Sequence, residues 1–187
     1  MATTSDIKNG MCIDFNFDIW TVVDFQHVKP GKGAAFVRTK IKSLTSGKVL
    51  ENTFPAGHKI DEVRVERRQC QFLYKTDDGF FFMNTETFEE INLPEALIDA
   101  PQFLMDGQMV EVLFHAAKEI PLSCDMPSHV VMTVTYTEPG VRGDTATNTL
   151  KPATVESGAT VNVPLFVEEG TKIKIDTRTG AYVERVK

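Results

Sequence analysis

The chemistry of export is missing from this sequence. Its three cysteines, Cys12, Cys70 and Cys124, are odd in number and far apart, with no CxxC pair, and no Asn-x-Ser/Thr acceptor occurs. A disulfide-stapled secreted scaffold is therefore not expected. No run approaches the roughly 18 apolar residues of a membrane span, and "MATTSDIKNGMCIDF" has neither a basic nor an apolar leader segment. These absences predict a soluble, cytoplasmic protein with no membrane contact. Metal and cofactor chemistry is equally thin. His27, His58, His115 and His129 are isolated, and no HxxxH or Cys/His cluster is present. Neither a metal nor a cofactor is expected. The acid pairs Asp77-Asp78 and Glu89-Glu90 sit beside turns or polar segments where solvation accounts for them, and no Ser/His/Asp or Cys/His arrangement is visible. A catalytic constellation is not expected, and a non-enzymatic role is.

Helical periodicity is scarce too. Short runs rich in Val, Ile, Phe, Thr and Tyr alternate with turn signals, which predicts an all-β protein. Three hairpins stand out. "IWTVVDFQHV" turns through Pro30-Gly31-Lys32-Gly33 into "AAFVRTKIKSL"; "CQFLYK" turns at Asp77-Asp78-Gly79 into "FFFMN"; "TKIKID" turns near Thr179-Gly180 into "AYVERV". One short helix is expected in "NLPEALIDA", with Asn92 as cap, Pro94 in the first turn and Pro101 as the stop.

Charge divides the 187 residues into three blocks. Residues 1–64 carry nine Lys/Arg against seven Asp/Glu, residues 65–127 four against twelve, and residues 128–187 seven against seven. Three strand-rich pieces of this size suit three small β-barrels with junctions near Arg64 and Pro127-Ser128. Each is near the lower size limit for folding alone.

The net charge of −6 hides a basic patch, because Phe25 to Leu50 holds six cations and no acid, bounded by Asp24 and Glu51. On a strand, Arg38, Lys40 and Lys42 would share one face roughly 7 Å apart while Val37, Thr39 and Ile41 turn inward. Such a row binds phosphates whatever the base sequence. The alternative is a solvated edge strand that uses cations against aggregation. Trp20, Phe25 and Phe36 read as barrel core rather than stacking platforms. Lys32 stands between Gly31 and Gly33 on a turn that lacks the GxxxxGK[ST] phosphate loop, and Phe36 follows where a dinucleotide loop needs a small residue. With Pro30 restricting one backbone angle, the loop is suited to close approach by another molecule.

"KPGKGAAFVRTK", together with "EPGVRGDTATNTLKPATVESGATVNVPLFVEEGTKIKIDTRTGAYVERV", resembles bacterial elongation factor P over nearly the whole chain. The resemblance implies an N-terminal SH3-like (KOW-type) barrel at 1–64, an acidic OB-fold at 65–127 and a second OB-fold at 128–187, in an L-shaped, tRNA-like arrangement. It implies a monomeric factor that contacts both ribosomal subunits beside peptidyl-tRNA and relieves stalling at consecutive prolines. Lys32, framed by Pro30, Gly31 and Gly33, would steady the CCA end, and a modifying enzyme would extend it covalently. Lys29, Arg38, Lys40 and Lys42 would meet tRNA or rRNA phosphates. A loop with Arg142, Gly143, Asp144, Thr145 and Lys151 would approach the small subunit and exit site, although Gly-Asp-Thr is also ordinary turn chemistry. A generic OB-fold binder of single strands is the competing expectation; it needs exposed aromatics on a basic groove, which an acidic second barrel does not favour.

Overall fold

A computed structural model describes residues 2–139 and 149–187. The chain divides into two compact units, Met1–Arg68 with Val112–Cys124, and Gln69–Glu111 with Asp125–Lys187.

The first unit is built on strands β1 (Ala2–Thr3), β2 (Cys12–Phe15), β3 (Asp18–Val28), β4 (Phe36–Ser43), β5 (Val49–Pro55) and β6 (Lys59–Ile60). β2 to β5 form an antiparallel sheet in chain order, and β1 pairs with β6. Alternation drives this sheet. In "FVRTKIKS" the residues Val37, Thr39, Ile41 and Ser43 are buried while Arg38, Lys40 and Lys42 are exposed. Val22, Val37 and Ile41 join Ile7, Met11, Ile13, Phe54 and Ile60 in one core, with Trp20 and Phe25 packed against its edge. Burying each such aliphatic side chain stabilises the fold by about 1.5–3 kcal/mol. The buried hydroxyl of Thr39 donates to the Asn52 carbonyl at 2.9 Å, so its burial leaves no unsatisfied group.

Asp18 staples the far end of the β3–β4 pair. Its carboxylate accepts from Ser43 Oγ at 2.6 Å, Thr45 Oγ1 at 2.7 Å and the Ile19 amide at 2.8 Å. Burial pushes its pKa up, but the three donors outweigh burial and hold it below the ordinary 3.8. A lowered folded pKa means stability that is full above the unfolded value and is lost as pH falls through the folded one. Because solvent screens this largely accessible carboxylate, Asp18→Asn should cost no more than about 1 kcal/mol at neutral pH. That gap between variant and wild type should narrow as pH drops below about 4. Urea unfolding at several pH values measures it; a gap independent of pH would show that the charge contributes nothing.

In the second unit, β7 (Val65–Thr76) enters from the first, and β8 (Gly79–Asn84) and β9 (Glu90–Leu93) continue an antiparallel meander. Phe72, Phe80 and Phe82 point inward, with Phe72 and Phe82 centroids 5.3 Å apart. Strands β10 (Met109–His115) and β11 (Ile120–Asp125) follow in the chain, their residues from Val112 to Cys124 belonging to the first unit. The last sheet contains β12 (His129–Thr137), β13 (Leu150–Val155), β14 (Thr160–Pro164), β15 (Lys172–Asp176) and β16 (Ala181–Val186), in the order β14-β13-β12-β15-β16. Val130, Met132, Val134, Val161, Val163, Ile173 and Ile175 supply its buried face.

All three expected hairpins are present, as β3–β4, β7–β8 and β15–β16. The expected helix is not. Asn92 lies inside β9, and its amide donates to the Asp78 carbonyl at 3.2 Å instead of capping anything. Leu93 is buried in register with Phe80, which commits the segment to the sheet up to Pro94. The stretch left before Pro101 is too short to nucleate an α-helix and forms only 3-10 turns at Glu95–Leu97 and Pro101–Phe103. Ala100, kept out of the right-handed helical region by the proline after it, takes φ 50° and ψ 53°.

Candidate nucleic-acid interface

Val28 opposite Phe36 is the last pair of the β3–β4 ladder, and residues 29–35 form the loop above it. Ala35 anchors the loop's root, its carbonyl accepting from the Ala56 amide at 2.9 Å. Lys29 through Ala34 are all exposed. Among the described residues the Lys32 side chain makes no hydrogen bond and no ion pair, so its ammonium stands free of the fold. The flanking glycines differ in what requires them. Gly33 has φ +113°, a conformation closed to L side chains, whereas Gly31 has no positive φ and a Cβ there would meet nothing within 4 Å. The fold needs glycine at 33. At 31 the fold itself makes no such demand.

The β4 face is as expected, with Arg38, Lys40 and Lys42 exposed in a row. The edge-strand alternative is corrected, because β4 lies between β3 and β5 and has ladder partners on both sides. Its cations are therefore not there to protect unpaired backbone. The register also reveals what sequence spacing left out. Arg38 lies between Gln26 and Thr53, Lys42 between Thr21 and Val49, but Lys40 lies between Asp24 and Glu51. The two acids that bound the acid-free stretch in sequence return beside its middle cation. For Asp24 the cause is a bulge: the ladder slips between Val22 and Asp24, so Asp24 joins the outer face although Val22, two residues earlier, is buried.

Other expected site residues fare differently. Lys29 is exposed at the loop root. Lys151 departs from expectation: it is only 8% exposed, and its Nζ donates to the Glu138 carbonyl at 2.7 Å. It occupies an inward position of β13, and its ammonium is committed to the backbone rather than presented to a phosphate. Arg142, Gly143, Asp144 and Thr145 lie outside the described residues. Trp20 and Phe25 pack on the barrel core as expected, the Trp20 indole donating to the Phe15 carbonyl at 2.8 Å. Phe36 is half-buried. The four histidines have local partners: His58 stacks on Phe54, His27 meets Phe25 edge-on, His129 bonds Ser128, and His115 Nδ1 accepts from the Ala117 and Lys118 amides. Asp77-Asp78 form the two-residue turn between Thr76 and Gly79, and Glu90 accepts from the Tyr74 hydroxyl at 3.0 Å. That bond raises the Tyr74 pKa, with slight burial acting in the same direction.

Family models match the chain in three places: "Elongation factor P (EF-P) KOW-like domain" at residues 3–60, "Elongation factor P (EF-P) OB domain" at 65–122 and "Elongation factor P, C-terminal" at 130–185. A curated protein named Elongation factor P from Flavobacterium johnsoniae is 63% identical over 187 residues, covering 100% of both chains. Its counterpart from Flavobacterium psychrophilum is 59% identical with the same full coverage. Among solved structures, a translation initiation factor eIF-5A family protein from Naegleria fowleri superposes with a TM-score of 0.52 at 16% identity, over 67% of this chain and 96% of that one; this likeness shows the fold alone. The strand-only architecture agrees with the KOW-like and OB descriptions. With matched segments spanning most of its length and relatives identical at more than half of all positions end to end, the chain belongs to the elongation factor P family of translation factors.

Proposed function

We propose that this protein binds the ribosome beside peptidyl-tRNA and promotes peptide bond formation at consecutive prolines, with Lys32 orienting the CCA end. The observation that carries this reading is the geometry of one hairpin: an ammonium without an internal partner stands on a bare loop directly above a strand whose outer face is studded with cations. Prolyl groups are poor partners in peptide transfer because the ring restricts φ and the nitrogen is a secondary amine. What the ribosome lacks at such a step is orientation, and holding a reactant in place can remove several kcal/mol of entropic barrier without any group of the factor entering the chemistry. The protein is in this reading not an enzyme. The basic face meets acceptor-arm phosphates, Lys32 extends past it, and Lys32 is the site at which a modifying enzyme adds reach and hydrogen-bond donors. Residues 142–145 take the small-subunit side. Domain junctions near Arg64 and Pro127 belong to the same reading, supported by family matches that end at 60 and 122 and resume at 65 and 130.

Reconstituted translation tests it. Adding the protein should speed synthesis from a message with consecutive proline codons at least tenfold, and leave a proline-free control unchanged. Equal acceleration of both messages, or of neither, would overturn the proposal. Tight binding to arbitrary single strands without such rescue would favour the generic binder.

A further inference from the structure

The outer face of the β3-β4-β5 sheet is not a uniform basic stripe. Taken rung by rung across the ladder, Gln26-Arg38-Thr53 carries one positive charge, Asp24-Lys40-Glu51 one net negative charge, and Thr21-Lys42-Val49 one positive charge. Every ionisable side chain in these rungs is exposed. The Cβ atoms of directly opposed residues on one face stand about 5 Å apart, so the exposed charges they carry share a neighbourhood comparable with the screening length of about 8 Å at physiological salt. Arg38 and Lys42 are about 13 Å apart along the strand, beyond that length. Among the described residues Lys40 forms no ion pair with either acid, but it shares its rung with two exposed carboxylates whose field offsets its own, while the cations at either end have no acid opposite them.

We propose that this face grips RNA at two points, with Arg38 and Lys42 each neutralising one phosphate, and that Asp24 and Glu51 hold Lys40 back from becoming a third. The proposal rests on the reading of this face as the one that meets RNA, and deepens it by naming which cations bind and which acids limit binding. The acids have a function in this arrangement. A strip of three uncompensated cations would hold any polyanion; a negative rung between two positive ones repels a phosphate placed at the centre and so favours a backbone that presents phosphates at the two ends. The Val22/Asp24 bulge is the device that turns one of the two acids outward.

The salt dependence of binding to a short RNA hairpin separates these roles, because each phosphate neutralised adds about 0.9 to the slope of log affinity against log salt on a duplex. Arg38→Gln and Lys42→Gln should each lower the slope by about 0.9, whereas Lys40→Gln should lower it by less than half as much. The double variant Asp24→Asn/Glu51→Gln should steepen the slope by about 0.9 and tighten binding, since Lys40 is then released to take a phosphate. In that background Lys40→Gln should return the slope to the wild-type value. Circular dichroism establishes that these surface variants fold. Equal losses from all three cation variants, no response to removal of the acids, or no salt-dependent binding by the wild type would each overturn the two-point grip. Failure of oligoproline rescue is a separate readout, and it leaves these slopes as they are.

Discussion

Lys32→Ala is expected to fold as the wild type does and to lose at least nine-tenths of its acceleration of oligoproline synthesis. The first half follows from the structure. The side chain is exposed and makes no hydrogen bond or ion pair among the described residues, its neighbours from 29 to 34 are exposed, and the loop conformation is set by Pro30 and Gly33, which the substitution leaves in place. Surface changes of this kind stay within about 0.5 kcal/mol. The second half follows from the proposed role. A tenfold loss corresponds to about 1.4 kcal/mol of transition-state stabilisation, a modest share of what orientation can supply. The measurement is the rate on a proline-rich message at saturating factor, paired with a thermal melt. If the melt is unchanged and the rate is also unchanged, Lys32 is not the group that orients the CCA end. Arg38→Gln serves as a contrast, since loss of a phosphate contact should be recovered by raising the factor concentration, and loss of the orienting group should not.

The largest stability effect is expected from Gly79→Ala. Gly79 starts β8 opposite Thr76 with φ +139°, outside the region that any L residue adopts readily. An added Cβ would also run into Asn92 Oδ1 and come within 2.9 Å of the Leu93 carbonyl oxygen. Asn92 can swing away, at the loss of its bond to Asp78; the carbonyl belongs to the adjacent strand and can move only with the ladder. Strain of about 1–3 kcal/mol plus the backbone clash gives a destabilisation of about 3 kcal/mol or more, which lowers Tm by about 6–12 °C in a protein of this size. Gly57→Ala is the control: its φ is +79° but nothing lies within 4 Å of the added carbon, so only the conformational cost of about 1 kcal/mol applies. Equal melts for the two alanine variants would mean that the contact with β9 carries no weight.

How legible the molecule was in its sequence depends on the range of the interactions involved. Period-two alternation and turn chemistry are local, and they were enough to read three hairpins, the buried and exposed faces of β4, and the bare loop around Lys32. The segment 92–100 misled because its helix signals are local too, whereas what decided it was the burial of Leu93 against Phe80 from a neighbouring strand. Lys151 also misled. The resemblance places it on a loop that approaches the small subunit, but β13 turns that position inward and the Glu138 carbonyl receives its ammonium.

Sequence by itself determined the strand-only class and which residues could form a basic row, since both follow from spacing along one chain segment. Only the tertiary structure decided that the row lies on an inner strand of its sheet, and that its central lysine stands between two carboxylates. Those acids are 16 and 11 residues from Lys40 in the chain, and they become its neighbours only through the register of two strand pairings. One of those registers is shifted by a bulge that no alternation pattern predicts. Cross-strand electrostatics acts between residues brought together by hydrogen-bonded pairing, so it exists only once the sheet has formed.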